Sequence, residues 1–391
     1  MPHTPYLIIG GGMTGAAAAA GIREIDPDGG IVLLSAESVP PYDRPPLSKK
    51  LWEGKRTVEQ IVAPLPRDVE LRLGRRVASL DADRREVVDD LGAVYAYDRL
   101  LLATGGAPRR LPFGGNAVNY YRTLADYLAL RVDAERGARF VVIGGGFIGS
   151  EVAASLRRQG NEVTMVFPEG GITDRLFPPG MPAFVNDYYR QKGVEVLNGE
   201  SVTHIEAGDD GAVVITGSGW RLAADRVVAG IGIIPETNLA QSAGLAVDNG
   251  VTVDALLRSS RPEIFAAGDV ANYPDAVLGQ RRRVEHADAA RAMGRTAGRN
   301  MAGAAEPYTY LPMFYSDLFD LSYEAVGLCD NRLAMVEDWQ ERYRRGVVYY
   351  LRDGRVCGVL LMDVWEKVDE ARALIEQGSS VTADYLIGRI G

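Results

Sequence analysis

At 391 residues the chain exceeds the size at which one hydrophobic core keeps growing, and 47% hydrophobic content is ample for two or three domains. A formal net charge of −9 argues against a nucleic-acid partner, whose phosphates need a basic face. No apolar run reaches the ~18 residues of a membrane helix and the first residues lead directly into a strand-like run, so a chain without a membrane span and a cytoplasmic location are expected.

The first element is the apolar run from Leu7, LIIGGG, which reads as a buried parallel strand. It runs into a G-x-G-x-x-G turn, Gly10, Gly12 and Gly15, that opens a helix of small residues. Such a turn allows close backbone approach to a pyrophosphate and aims free N–H groups, at the positive helix end, toward the phosphates. The second strand, IVLLSAE, is expected to end on Glu37, 22 residues past Gly15, where a carboxylate would accept hydrogen bonds from a ribose diol.

Residues 40–52, PPYDRPPLSKKLW, carry four prolines that fix φ and delay any helix until Ser48, an expected N-cap for a short helix through Trp52. From residue 70 to 107 the pattern is short alternating strands, closing on Ala103-Thr104-Gly105-Gly106. The proline- and glycine-bearing stretch 107–115 is the expected domain boundary.

Residues 141–167, VVIGGGFIGSEVAASLRRQGNEVTMVF, repeat the opening design with Gly144, Gly146 and Gly149, and Glu169 follows 20 residues past Gly149. One glycine-rich turn is weak evidence. Two copies, each followed by an acid at the right distance, imply two dinucleotides: a flavin that accepts hydride and a nicotinamide that donates it. Glu151 falls two residues after Gly149, in early helix turns that favour a carboxylate. A second meander and a closing strand, DRVVAGIGIIPETN, complete this region.

An apolar strand ending in Gly268-Asp269 follows, then a helix starting near Glu285 or His286. From residue 306 four strand segments, an Asp353-Gly354 hairpin and a helix near 366–377 read as a small α+β domain. Only Cys329 and Cys357 occur, in no C-x-x-C pairing, so electrons are expected to leave without a redox disulfide. Lysine is confined to positions 49, 50, 55, 192 and 367, which makes a motif lysine more informative. Arg281 to Arg283, and Arg342, Arg344 and Arg345, read as solvated surface, with an acidic-partner dock as the alternative.

Residues 40–52 resemble the flavin-contacting segment of the apoptosis-inducing factor and oxygenase-coupled ferredoxin reductase branch of the two-dinucleotide flavoproteins. The resemblance continues through the F-P-E closing the second nucleotide strand and through Phe314-Tyr315-Ser316-Asp317, where Tyr315 replaces the family's tryptophan. It implies an α/β fold of two Rossmann-like dinucleotide-binding domains, for FAD and NAD, plus a small α+β C-terminal domain. The FAD-binding domain would span 1–115 and 240–305, the NAD-binding domain 116–239 and the C-terminal domain 306–391.

On the same resemblance the cofactor contacts fall to the six fingerprint glycines and to Glu37, Arg44, Lys49, Val77, Thr104, Gly105, Phe147, Ile148, Glu169, Gly232, Asp269, Glu285, His286 and Tyr315. Lys49, from the FAD-domain loop, would pair with Glu151 of the other domain beside the flavin N5. No metal site is expected.

The implied activity passes hydride from NADH to FAD and electrons on to a ferredoxin-type protein or a small quinone-like acceptor. The alternative is a redox-responsive assembly protein with slow turnover. NADH is expected over NADPH, because Glu169 would face a 2′-phosphate with only Gly170-Gly171 beside it and Arg175 as the nearest cation. Candidate partners are therefore NADH, a ferredoxin or other acceptor, and a second copy of the chain.

Overall fold

The structure, a computed structural model, describes residues 3–209 and 211–391. Met1 and Pro2 of the expected first domain and Asp210 of the second meander lie outside the described residues. The chain divides into two compact units. The first takes the chain up to Asp43, then Val58–Ala107 and Ile234–Pro312; the second takes Arg44–Thr57, Pro108–Ile233 and Met313–Gly391.

In the first unit, strands Val69–Arg72, Ile31–Leu34, His3–Ile9 and Val94–Leu102 lie in that order, every neighbouring pair parallel. The far edge of Val94–Leu102 is shared: Glu86–Asp89 pairs antiparallel with its start and Ile264–Ala266 parallel with its end. Ile31 to Leu34 and Leu100 to Leu102 are buried without alternation, as strands covered on both faces must be. The IVLLSAE strand stops at Leu34, so Glu37 sits three residues on, in the loop rather than at the strand end. Helix Met13–Ile25 packs on helix Ala287–Met301 backbone to backbone: a Cβ on Gly298 would stand 2.1 Å from the Ala18 carbonyl oxygen. The second helix begins at the N-cap His286.

In the second unit a five-stranded sheet runs Glu195–Asn198, Glu162–Phe167, Arg139–Ile143, Arg226–Ala229, Val118–Tyr120, parallel throughout. An antiparallel three-stranded meander covers Val202–Gly208, Gly211–Thr216 and Arg221–Ala224. The C-terminal part is an antiparallel sheet ordered Met313–Leu318, Leu321–Gly327, Arg355–Met362, Arg345–Arg352, Ala334–Glu341, with helix Val368–Gln377. Its hairpin turns on Asp353 and Gly354, both at positive φ (52° and 73°), the backbone a two-residue primed turn needs.

The proline-rich segment differs from expectation in two ways. Its helix is a 3-10 turn over Pro45–Ser48 followed by irregular turns, because the prolines stand at the first helical positions and Ser48 closes the turn instead of capping a new one. The segment also packs with the second unit. Tyr121 Oη donates to the Leu47 carbonyl, Ser155 Oγ to the Ser48 carbonyl (2.8 Å), Gln159 Nε2 to the Trp52 carbonyl (2.9 Å), and the Trp52 ring meets Tyr127 edge-on at 5.1 Å. Among the described residues no helix is long and apolar enough to cross a membrane.

Candidate functional site

Both glycine fingerprints adopt the geometry that their spacing predicts. In the first unit Gly10 has φ +122° and its absent Cβ would lie 2.1 Å from the Ala103 carbonyl oxygen, while one on Gly15 would lie 2.1 Å from the Gly10 carbonyl oxygen. Gly12, the N-cap of helix Met13–Ile25, is different: a Cβ there meets nothing within 4 Å. The second unit repeats this. Gly144 sits at φ +113°, Gly149 would clash with the Gly144 carbonyl oxygen at 2.0 Å, and Gly146, N-cap of helix Phe147–Arg158, opens on free space. Each loop thus holds strand and helix together with two glycines and leaves the third position clear in front of unpaired helix N–H groups. This is a cradle that fits a pyrophosphate.

Around the first cradle the chain gathers several of the expected contacts. Glu37 accepts a hydrogen bond from Tyr42 Oη at 2.7 Å. Thr104 Oγ1 donates to the Glu236 carbonyl (2.8 Å), and Gly105, at φ +67°, turns the chain there. Gly268, at φ +77°, would clash through a Cβ with Thr14 Oγ1 at 2.3 Å, so the turn bearing Asp269 sits on the first turn of the nucleotide helix. Arg283 Nη1 donates to the Asp269 carbonyl and pairs with Glu285 at 2.7 Å. Val77 is buried in the apolar core, so its side chain is spent on packing and only its backbone can serve a ligand.

His286 is half-buried at the start of its helix. Burial first, and the Arg282 guanidinium second, push its imidazole down to about 3, so it is neutral across the physiological range. Asp269 and Glu285 belong with it to the first unit.

The second unit holds the reactive-looking cluster. Lys49 Nζ lies 2.7 Å from Glu151 Oε2, and both side chains are buried. The pair is therefore made within one unit rather than between the expected domains, since the Lys49 loop folds with the Glu151 helix. Ser48 Oγ donates to the same Oε2 at 2.5 Å, and Ser316 Oγ to Oε1 at 2.6 Å. The sequence gives neither serine a role here; their only signal is adjacency to Lys49 and Tyr315. Tyr315 is partly exposed, and its ring centroid is 5.0 Å from Lys49 Nζ. Arg44 Nη1 donates to the Arg122 carbonyl at 2.8 Å, also inside this unit.

Phe147 and Ile148 leave 38% and 41% of their surface open at the helix start, and Phe147 packs on Phe314 at 5.0 Å. Gly232 takes φ +91° with open space where a Cβ would be, and its carbonyl accepts from the Arg109 N–H at 2.9 Å. Glu169 follows the strand Glu162–Phe167 and meets Arg175 Nη2 at 3.7 Å, the arginine side chain being almost wholly exposed. The two cysteines, distant in sequence, both lie in the C-terminal sheet region and both are free thiols. Among the described residues no group of His, Cys, Asp and Glu could hold a metal ion.

Residues 4–294 match the family described as pyridine nucleotide-disulphide oxidoreductase, and 297–341 with 334–377 match the C-terminal domain of apoptosis-inducing factor. The 5,5′-dehydrodivanillate O-demethylase ferredoxin reductase subunit of Sphingobium sp. is 35% identical, over 99% of this chain and 96% of its own length. Apoptosis-inducing factor 1 of Dictyostelium discoideum is also 35% identical, over 95% of this chain and 78% of its own. Among solved structures, the covalent putidaredoxin reductase–putidaredoxin complex superposes with a TM-score of 0.92 at 31% identity, over 99% of this chain and 96% of that one.

Proposed function

The chain belongs to the pyridine nucleotide-disulphide oxidoreductase family and is an NADH-dependent FAD flavoprotein reductase; from that footing we propose that a ferredoxin-type protein takes its electrons, as a small quinone-like oxidant also could. The observation that carries the reading is the pair of cradles, each with an open glycine, Gly12 and Gly146, in front of a helix end. FAD, when bound, accepts hydride from NADH and can release the electrons one at a time.

The first unit would hold the FAD. Gly10, Gly12 and Gly15 receive its pyrophosphate, Glu37 its ribose, and Thr104, Gly105, Asp269, Glu285 and His286 the remainder. The nucleotide fold of the second unit would hold NADH, with Gly144, Gly146 and Gly149 at the pyrophosphate, Glu169 at the adenosine ribose, and Phe147, Ile148 and Gly232 toward the nicotinamide end. Helix N-termini favour the negative charge of both pyrophosphates by ~0.3–1 kcal/mol each at exposed positions, and more where water is excluded.

Lys49 supplies an ammonium for electron density arriving on the ring, Glu151 keeps it in place, and Tyr315 caps its open side. The neutral imidazole of His286 marks the start of a helix whose positive end suits a reduced, anionic ring. Neither cysteine takes part, which fits direct transfer from flavin to acceptor.

The assembly-protein reading draws less support: the chain covers 78% of the apoptosis-inducing factor against 96% of the ferredoxin reductase subunit. The test is to purify the yellow holoprotein, reduce it with NADH in a stopped-flow instrument, and then offer a ferredoxin with cytochrome c. Fast, ferredoxin-dependent cytochrome reduction is expected; slow reoxidation by every acceptor would favour the assembly protein instead.

A further inference from the structure

Glu151 accepts three hydrogen bonds. Lys49 and Ser48 come from the proline-rich segment and both reach Oε2; Ser316 comes from the first strand of the C-terminal sheet and reaches Oε1. All four side chains are buried. Ser48 is itself fixed, its carbonyl accepting from Ser155 Oγ at 2.8 Å on the Glu151 helix. Ser316 is fixed by its strand, where it stands opposite Tyr323 in the antiparallel ladder.

This arrangement answers a problem that the lysine poses. A lysine ammonium ends a flexible four-carbon stem and offers three rotatable donors, so a single carboxylate oxygen defines its distance but not its direction. A carboxylate can also rotate about its last torsion, which is broad. With Oε1 held by Ser316 and Oε2 by Ser48, that rotation is closed, and Nζ has one well-defined place to sit. The next residue along the strand, Tyr315, lies under the same ammonium at 5.0 Å, while Ser316 holds the carboxylate. One strand of the C-terminal sheet thus touches both members of the ion pair.

From these contacts we infer that Ser316, with Ser48, is a positioning residue of the reductive half-reaction: it is the link by which the C-terminal sheet sets the direction of the Lys49 ammonium through Glu151. The inference rests on the reading that Lys49 acts during flavin reduction. Neither serine touches a cofactor in this account; each acts through Glu151.

The scarcity of lysine supplies a direct readout, because only five lysines compete for an amine reagent and Lys50 and Lys55 are exposed internal references. Holoprotein is acetylated with an N-hydroxysuccinimidyl ester and the modification of Lys49 is followed by mass spectrometry. In parallel, NADH reduction is followed by stopped flow to separate the limiting rate from the NADH dissociation constant.

Ser316→Ala and Ser48→Ala should each raise Lys49 labelling several-fold relative to Lys50 and lower the limiting rate ~5-fold, about 1 kcal/mol at the transition state. The NADH dissociation constant should stay within about 2-fold, and Ser316→Thr, which keeps the hydroxyl, should restore both readouts. Labelling and limiting rate both unchanged in the Ser48→Ala and Ser316→Ala proteins would overturn the inference, as would a lower melting temperature with neither readout moved. Raised labelling at an unchanged limiting rate, in a protein whose Lys49→Ala variant is slowed, would overturn it too. If Lys49→Ala itself leaves the limiting rate unchanged, it is the underlying role of Lys49 that fails, while the labelling result still decides whether the serines position it.

Discussion

A Cβ on Gly149 would stand 2.0 Å from the carbonyl oxygen of Gly144, just as one on Gly15 would stand 2.1 Å from that of Gly10. Real Cβ atoms do not approach backbone oxygen so closely, and neither partner is a flexible side-chain end that could yield. Gly149→Ala must therefore push the helix start away from its strand and deform the cradle. We predict that Gly149→Ala weakens NADH binding ~10-fold or more while the protein keeps its FAD. Gly15→Ala should instead be purified largely without FAD. Flavin content by absorbance and NADH affinity by titration check the pair, and full retention of both ligands in both variants would mean that these loops are not the nucleotide sites.

The pairing of Arg175 with Glu169 bears on cofactor choice. A 2′-phosphate placed at Glu169 would meet a carboxylate, so NADH is expected to be the better donor. Arg175 is an almost fully exposed side chain 3.7 Å away, free to swing toward an extra phosphate. Arg175→Ala should lower whatever kcat/KM the protein has for NADPH several-fold and leave that for NADH within about 2-fold. Glu169→Gln should narrow the preference from the other side. A wild-type protein that uses NADPH as well as NADH would show that Glu169 does not face the ribose.

His286 links site geometry to pH. Its folded-state pKa, about 3, lies below the 6.5 of the unfolded chain, so acid protonates the unfolded chain first. The stability this group contributes is complete above pH 6.5 and is lost as the pH falls from there toward 3. At pH 5 the loss amounts to about 2 kcal/mol, an upper figure for a side chain that is only half-buried. Urea unfolding at pH 7.5 and pH 5 should show a shallower pH dependence in His286→Gln than in the unsubstituted protein. Equal slopes would mean that the imidazole is not held neutral.

How far the sequence speaks depends on whether the cause is local. The fingerprint glycines and the Asp353-Gly354 hairpin are dictated by backbone conformation within a few residues, and the pattern reveals them. Glu37 was expected on a strand, but strand pairing with Val69–Arg72 ends at Leu34, and no local rule says how far a partner extends. Ser48 looked like an N-cap because it follows prolines and precedes a plausible helix. Its hydroxyl is instead taken by Glu151, 103 residues away. The same long-range bonds carry Arg44–Thr57 into the second unit, against the expectation that this segment would fold with its sequence neighbours. Arg175 stands out in the sequence only for its nearness to Glu169, and Ser316 only as part of the Phe314–Asp317 motif, because its partner Glu151 lies 165 residues away.

The cysteines offer a negative test of mechanism. Burial raises the Cys357 thiol above its ordinary value, which keeps it protonated and a poor nucleophile at neutral pH. Its Sγ points at the Tyr350 carbonyl at 3.4 Å, a contact a serine hydroxyl can reproduce. Replacing both Cys329 and Cys357 with serine should leave NADH-driven flavin reduction within about 2-fold, at a stability cost on the order of 1 kcal/mol for the buried site. A folded, FAD-loaded double variant that NADH cannot reduce would require a thiol in the electron path.

The strongest expectation concerns the ion pair itself. Removing Glu151 outright would leave a buried ammonium and two serine hydroxyls without their acceptor, a change that costs ~3–5 kcal/mol and would confuse folding with chemistry. Glu151→Gln keeps the shape and one acceptor oxygen, so it is the informative partner for Lys49→Ala. If the ammonium supports charge arriving on the flavin, Lys49→Ala should retain FAD and slow the limiting rate of reduction by NADH ~10-fold or more, which corresponds to the loss of a little over 1 kcal/mol from the transition state. Glu151→Gln should slow it comparably, because an ammonium without its carboxylate is no longer held in one place. The double variant should be only slightly worse than either single one, since both substitutions remove the same interaction. Additive effects of the two would mean that lysine and glutamate act separately, and an unchanged single-turnover rate in Lys49→Ala would remove the pair from the reaction altogether.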